Sequence, residues 1–320
     1  MTTRPDVLVT GAAGFVGAAL LERLGGEGRR VVGVDLREAP GIEHLDVTDA
    51  RDVDALISHH RPHAIVHAAA IVDDRVAREL TFAVNVSGTE NVLAAARRHR
   101  VTRLVHVSSI AALGLDPGPD ADARTPLVYD TGVPYFDTKA LSERIVRDAM
   151  KREGPELVVA RPGDVYGPGS EPWVNRPLDL LRRRVPVLIG GGRGRMAHAW
   201  IDDLVEGLVL CLDRPEAKGG VFTFHDGEHS TYRTYLTELA HAAGAPEPKV
   251  SVPRVVAHAA ARAGTTLQRF GVTAPMTEGA VRYLTRSATY STKESQERLG
   301  WKPRFDLRSA MRVLGERLRA

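Results

Sequence analysis

Over the first 160 residues the apolar positions switch repeatedly between two periods. Short β-rich runs stand at Asp6 to Thr10, Arg30 to Asp35, Ala64 to Ala68, Arg103 to Ser108 and Glu156 to Arg161, and each predicts a strand. Between them apolar residues recur three and four apart over Phe15 to Leu24, Ala50 to His59, Glu79 to His99 and Tyr135 to Arg152, which predicts helices. Strands alternating with helices in this way form βαβ units. The expectation is therefore an α/β core with a doubly wound parallel sheet covered on both faces.

After Arg161 the pattern changes. The stretch Pro162-Gly163-Asp164-Val165-Tyr166-Gly167-Pro168-Gly169 is dense in breakers, and short helices mixed with isolated strands follow. A smaller C-terminal α/β lobe is expected there, giving a core over residues 1–165 and a mainly substrate-binding lobe over 166–320, with room for some elements to return to the core. Near the end, Ser291-Thr292-Lys293-Glu294 reads as a capping box, and Leu299-Gly300 with Pro303 reads as a helix stop. The polar, breaker-rich Asp116 to Asp122 is expected to be a mobile surface loop bordering the substrate.

Composition narrows the class. The chain has 320 residues, 43% hydrophobic and 26% charged, which fits a soluble globular protein and excludes a disordered or fibrous one. Its single cysteine, Cys211, provides neither an internal disulfide nor a thiolate metal cluster, so no metal is expected and a reducing, cytoplasmic setting is. No apolar run approaches the ~18 residues of a membrane span, and no signal-peptide pattern precedes Val7, so the chain is expected to begin at its fold. A net charge of +3 is too small to imply nucleic acid; the basic runs Arg97-Arg98-His99-Arg100 and Arg182-Arg183-Arg184 read as solvated helix ends.

The first strand runs into Thr10-Gly11-Ala12-Ala13-Gly14-Phe15-Val16-Gly17 at a strand-to-helix turn. Glycine lets the backbone turn tightly and approach a pyrophosphate, while the next helix offers unpaired N–H groups and a positive dipole end. Gly11, Ala13, Gly14, Phe15, Val16 and Gly17 are thus candidate cofactor contacts. Asp35 ends the second strand 24 residues beyond Gly11, where a carboxylate accepts from the adenosine ribose and repels a 2′-phosphate. This favours NAD; Arg37, two residues on, keeps NADP as the alternative. Asp46, with Val47, is read either as an adenine contact or as a helix N-cap.

Together with His67-Ala68-Ala69-Ala70, Asn85-Val86-Ser87-Gly88-Thr89, Ser108-Ser109, Tyr135-Phe136-Asp137-Thr138-Lys139, Arg161-Pro162, Tyr166-Gly167-Pro168 and Leu299-Gly300-Trp301-Lys302-Pro303, the glycine turn makes the chain resemble an extended short-chain dehydrogenase/reductase of the NAD-dependent epimerase/dehydratase superfamily over nearly its whole length. The resemblance implies a Rossmann-type fold. It places Ala68, Ala69 and Ala70 at the nicotinamide half of the site, counts Pro162 among the cofactor contacts, and leaves His67 structural.

Tyr135 and Lys139, four apart on a predicted helix, share one face. An ammonium near a phenol favours phenolate, so Lys139 is expected to lower the Tyr135 pKa and make it an acid/base, while also holding the nicotinamide ribose. Ser109 lies at the carboxyl end of a strand, where its hydroxyl can donate to a substrate oxygen. It is preferred to Ser108 because the family spaces that hydroxyl five residues before a glycine, here Gly114.

The resemblance also separates reactions. Relatives that eliminate water carry an Asp-Glu pair after the catalytic hydroxyl, and 3,5-epimerases of this kind carry a cysteine; here Ile110-Ala111-Ala112 follows. Nucleotide-sugar enzymes commonly have asparagine at the position of Asp164, whose charge is expected to repel a diphosphate, and arginine at that of Met196, with Arg195 displaced by one. The second lobe, with apolar stretches such as Val255 to Phe270, resembles the 3β-hydroxysteroid dehydrogenase and dihydroflavonol-reductase-like branches. The expectation is an NAD-dependent dehydrogenase or ketoreductase of a small or hydrophobic molecule, with Ser109, Tyr135, Asp164, Arg195 and His198 as substrate contacts. His198, Trp200 and His225 are read either as pocket residues or as packed ones. A nucleotide-sugar 4-epimerase retaining NAD and a non-catalytic dinucleotide sensor are the alternatives, and the long helices Glu79 to His99 and Tyr135 to Arg152 imply a homodimer.

Overall fold

The structure is a computed structural model that describes residues 6–73, 75–185, 187–268 and 277–319. In chain order the strands are β1 (Val7–Thr10), β2 (Val31–Asp35), β3 (Ile42–His44), β4 (Ala64–His67), β5 (Arg103–Val107), β6 (Glu156–Pro162), β7 (Asp164–Tyr166), β8 (Leu188–Ile189), β9 (His198–Trp200), β10 (Val221–Phe224) and β11 (Ser251–Val252). The helices are α1 (Phe15–Gly26), α2 (Ala50–His60), α3 (Arg78–Phe82), α4 (Gly88–Arg98), α5 (Pro134–Ala149), α6 (Arg176–Arg182), α7 (Ile201–Asp213), α8 (Tyr232–Ala242), α9 (Arg254–Gln268), α10 (Glu278–Leu284), α11 (Lys293–Leu299) and α12 (Leu307–Arg319).

Seven strands form one parallel sheet in the order β10-β6-β5-β4-β1-β2-β3. The strand order reverses between β1 and β4, the place where an open α/β sheet leaves a ligand crevice at its carboxyl edge. Alternation along the strands fills both faces. Leu8, Val34, Ile65, Leu104 and Val159 meet Val53, Ile57 and Val92 on one side, while Val9, Val66, Val105 and Val158 meet Leu20, Leu24, Leu204 and Leu208 on the other. Each fully buried side chain of this kind contributes about 2 kcal/mol. β10 comes from the C-terminal half yet extends the central sheet beside β6. β7 pairs with β9 in a separate ribbon, and β8 pairs with β11.

Three local expectations differ from the structure. The helix read over Glu79 to His99 is interrupted by a π-turn at Ala83–Ser87, because the Asn85 carboxamide is drawn to the backbone of Ile71, accepting from its N–H at 2.7 Å and donating to its carbonyl at 2.9 Å. The capping box at Ser291 does not form: the Ser291 N–H goes to the Ala121 carbonyl, α11 starts at Lys293 behind Thr292, and Glu294 pairs with Arg298. Gly300 does end α11 in the left-handed conformation (φ 68°). The loop Asp116 to Asp122 is fastened rather than loose, with Asp116 accepting from Ser287, Asp120 from the Thr289 hydroxyl, and Ala121 bridged to Tyr290. The apolar stretch Val255 to Phe270 forms α9 up to Gln268; its last two residues lie outside the described residues. Among the described residues no helix is long and apolar enough to cross a membrane.

Candidate active site

Thr10, Asp35, His67, Val107 and Pro162 end neighbouring strands on one edge of the sheet, so the loops that follow them converge. At the first, Gly11 has φ +69°, and a Cβ there would lie 2.6–2.8 Å from the backbone of Ala68 and Ala69; at Gly17 it would lie 2.1 Å from the Gly11 carbonyl oxygen. Both positions thus require glycine on steric grounds. α1 begins behind Gly14 with no side-chain cap, so its first N–H groups face the crevice edge unclaimed by a side chain. Phe15 and Val16 pack against the core as that helix starts.

Asp35 ties this turn to β2. One carboxylate oxygen accepts from the Ala13 N–H at 3.0 Å, the other from the Arg37 N–H at 2.9 Å and from the Arg37 guanidinium at 3.4 Å. Asp46 is not the cap of α2, a role taken by Asp49, which accepts from Arg51 and Asp52; Asp46 instead closes the turn to Thr48. Val47 is held beneath, its carbonyl accepting from Asn91 and its side chain against Gly88. Ala68, Ala69 and Ala70 are half-buried after β4, with the Ala69 N–H on the Thr10 hydroxyl. A bare glycine cradle, an uncapped helix start and a carboxylate at the end of β2 fit a dinucleotide.

His67 is structural. The Thr89 hydroxyl donates to the Asn85 carbonyl and so accepts from His67 Nε2, while His67 Nδ1 accepts from Thr10 at 2.8 Å. Burial and the Lys139 charge push this neutral imidazole down to about 3.

Ser108 and Ser109 separate cleanly. Ser108 points into the core and donates to Glu143 at 2.7 Å, whereas the Ser109 hydroxyl meets that of Tyr135 and accepts from the Ala111 N–H at 3.1 Å. Glu143 is fully buried on α5, one turn beyond Lys139, and carries a bidentate pair with the equally buried Arg161. Lys139 is buried as well; its Nζ donates to the Val107 carbonyl at 2.8 Å, and burial pushes its pKa down to about 8 against the favourable charge of Glu143. The expected lowering of the Tyr135 pKa is not what this structure shows. Burial raises it, the Ser109 hydroxyl opposes the rise, and the Asp164 charge adds to it.

The proposed substrate contacts divide. Asp164 is near enough to act on Tyr135, but both its oxygens are taken: one accepts from the Tyr283 hydroxyl at 2.6 Å, the other from the Ala197 N–H at 2.9 Å and from the buried Arg286. Its charge is compensated, so the expected repulsion of a diphosphate loses its basis. Arg195 is exposed and donates to the His229 carbonyl, held there because its own backbone bridges Thr231. His198 is buried in the second lobe, stacked on Tyr235 with centroids 5.4 Å apart and beside Asp226 and Ser230, and so is packing rather than pocket. Trp200 and His225 are equally buried. Pro162 ends β6 in register with Phe224. Asn85, joined to Thr138 of α5 at 3.0 Å, and the Glu143–Arg161 pair support the site without having been assigned a role from sequence. Glu143 lies four residues after Lys139, a spacing that could have flagged it; nothing local points to Arg286.

The family model of the NAD dependent epimerase/dehydratase family matches residues 7–223. The chain is 30% identical over 308 residues to the 4-hydroxy-2-methyl-3-oxo-4-farnesyl-3,4-dihydroquinoline-1-oxide ketoreductase of Stigmatella aurantiaca, covering 92% of this chain and 90% of the relative. It is 27% identical to a 3-beta-hydroxysteroid dehydrogenase of Mycolicibacterium neoaurum, covering 97% and 91%. Among solved structures, the UDP-glucose 4-epimerase of Thermus thermophilus in complex with NAD superposes with a TM-score of 0.77 at 25% identity, covering 98% of this chain and 99% of that one. The chain therefore belongs to the NAD dependent epimerase/dehydratase family as an enzyme of the extended short-chain dehydrogenase/reductase type, with an NAD-type cofactor.

Proposed function

We propose that the protein is an NAD-dependent oxidoreductase that interconverts an alcohol and a ketone on a small or hydrophobic molecule. The observation that carries this reading is the meeting of the Ser109 and Tyr135 hydroxyls at the end of β5, with the Lys139 ammonium buried one turn along α5. Burial keeps the phenol protonated, which suits a donor to a ketone oxygen held by Ser109. As that proton leaves, the Lys139 charge favours the phenolate left behind. In the opposite direction Tyr135 takes the proton of the hydroxyl. NAD, when bound, accepts or supplies the hydride. Gly11, Ala13, Gly14, Phe15, Val16 and Gly17 would hold its pyrophosphate, and Asp35 its adenosine ribose. Asp35 supports NAD over NADP, since a 2′-phosphate would meet a carboxylate whose one cation, Arg37, is largely exposed.

Ile110, Ala111 and Ala112 are buried and apolar, leaving no acid beside Ser109 to expel water. The test is NADH and NADPH oxidation against a panel of ketones, with Tyr135→Phe as control. The expected result is ketone-dependent oxidation of NADH in preference to NADPH, with kcat falling about 100- to 10,000-fold in the variant while NADH still binds. Undiminished turnover overturns the reading. A 4-epimerase is the second reading, favoured by the likeness to the Thermus thermophilus enzyme; conversion of UDP-glucose without net change in NADH would replace the first. We further infer a homodimer through α4 and α5, which light scattering of a monomer at micromolar concentration would refute.

A further inference from the structure

Of the three tryptophans, Trp200 and Trp301 are fully buried, and Trp173 alone is half-exposed. Its position is built rather than incidental. It sits in a π-turn at Glu171–Asn175, and its carbonyl accepts from the buried Tyr235 hydroxyl at 2.6 Å. Beside it, at 6.2 Å between centroids and tilted by 40°, stands the half-buried ring of Tyr283. That ring is locked too: its hydroxyl donates to Asp164, the Arg286 guanidinium lies 3.6 Å from its centroid, and Phe136 meets its edge at 5.4 Å. Phe136 in turn packs against Tyr135 at 5.9 Å. An aromatic wall thus runs from the proposed proton donor to Trp173, held by buried hydrogen bonds.

The charges on this wall are already spent. Arg286 donates to Asp164 and to the Tyr283 carbonyl, leaving only its buried Nε without an acceptor, and both Asp164 oxygens are engaged, so among the described residues the wall offers ring faces whose one cation is already paired with a carboxylate. Such a surface recognises an uncharged ring system by stacking and burial. A nucleoside diphosphate would bring two phosphates that find no partner there.

We propose that Trp173 and Tyr283 form the binding platform for the substrate and that the substrate is an uncharged fused-ring or aryl ketone or its alcohol. This rests on the oxidoreductase reading above and assigns its specificity. Trp173 determines affinity for the ring system and takes no part in proton transfer.

The test uses NAD-loaded protein titrated calorimetrically, and followed by tryptophan fluorescence, with 5α-androstane-3,17-dione and with UDP-glucose; NADH-dependent reduction of the dione and of the acyclic 2-octanone is measured alongside. The expected result is dione binding that changes the fluorescence, weakened about 10-fold in Trp173→Ala and restored to within about 3-fold in Trp173→Phe, with a KM that rises several-fold more for the dione than for 2-octanone. Dione binding that is absent, or unaffected by Trp173→Ala, overturns the platform, as does an equal loss for both ketones. Trp173-dependent binding of UDP-glucose without the dione assigns the wall to a nucleobase and overturns it too. Trp173-dependent dione binding without any NADH oxidation leaves the platform standing and removes the oxidoreductase reading.

Discussion

Replacing Lys139 by methionine is expected to make the cofactor-free protein more stable at neutral pH while abolishing turnover. Lys139 is buried and its pKa falls from 10.5 to about 8 because burial penalises the ammonium more than Glu143 rewards it. Unfolding returns the amine to water and its ordinary pKa. Between pH 8 and 10.5 the unfolded chain therefore binds more protons than the folded one, and stability contributed by this group rises with pH. Below pH 8 the full penalty applies: the shift from 10.5 to about 8, at about 1.36 kcal/mol per unit, is about 3 kcal/mol. Methionine removes it but leaves the Val107 carbonyl without its donor, a loss of about 1 kcal/mol. The variant should thus be about 2 kcal/mol more stable at pH 7, and the advantage should vanish near pH 10. Tyrosines and Cys211, whose pKa values burial raises, titrate in both proteins, so the difference between urea-unfolding curves at each pH isolates Lys139. A variant that is less stable at pH 7, or a difference that does not move with pH, would refute the reasoning.

Two further outcomes follow from the packing. Gly11→Ala forces a Cβ into the Ala68–Ala69 backbone at a positive φ, and strain of about 1–3 kcal/mol should weaken NAD about 10- to 100-fold by calorimetry; unchanged affinity would show that the turn is not the cofactor cradle. Arg161→Leu strands the buried Glu143 carboxylate and should cost about 3–5 kcal/mol in denaturant unfolding, whereas a loss under about 1 kcal/mol would mean that Ser108 and Arg147 suffice to hold it.

The parts of the fold readable from sequence are those whose cause is local. The β1 to α1 turn declares itself because glycines are needed where the chain approaches itself, and the Tyr135–Lys139 face follows from helical spacing alone. β3 escaped because Ile42-Glu43-His44 is only three residues long and two of them are exposed, leaving no alternation to see. The π-turn at Asn85 escaped because its cause, the Ile71 backbone, lies 14 residues away. Asp164 was misjudged for the same reason at larger scale. Its sign is written locally, but the cation that cancels it stands 122 residues on. Ser109 was preferred to Ser108 on spacing to Gly114 alone; the physical reason appears only in the two residues after β5 ends at Val107, where Ser108 turns to Glu143 and Ser109 to the phenol.

That distant cation also bears on the chemistry. Near Tyr135 lie two buried charged networks, Lys139–Glu143–Arg161 and Asp164–Arg286, while the buried Asp137 is balanced separately by the exposed Arg78; within the two networks three cations against two anions leave one positive charge. Glu143 is bidentate with Arg161 and Asp164 is closed by Arg286, so the charge left over is that of Lys139, on the same helix face as the phenol. In a resting site the surplus is costly, as the depressed Lys139 pKa records. On the mechanism proposed above, a Tyr135 that gives up its proton would leave an anion facing that surplus, and the cost borne by the folded protein would become stabilisation of the charge that develops during reaction. Losing Arg286 would remove the surplus without touching Lys139, since Asp164 would then face the phenol unopposed.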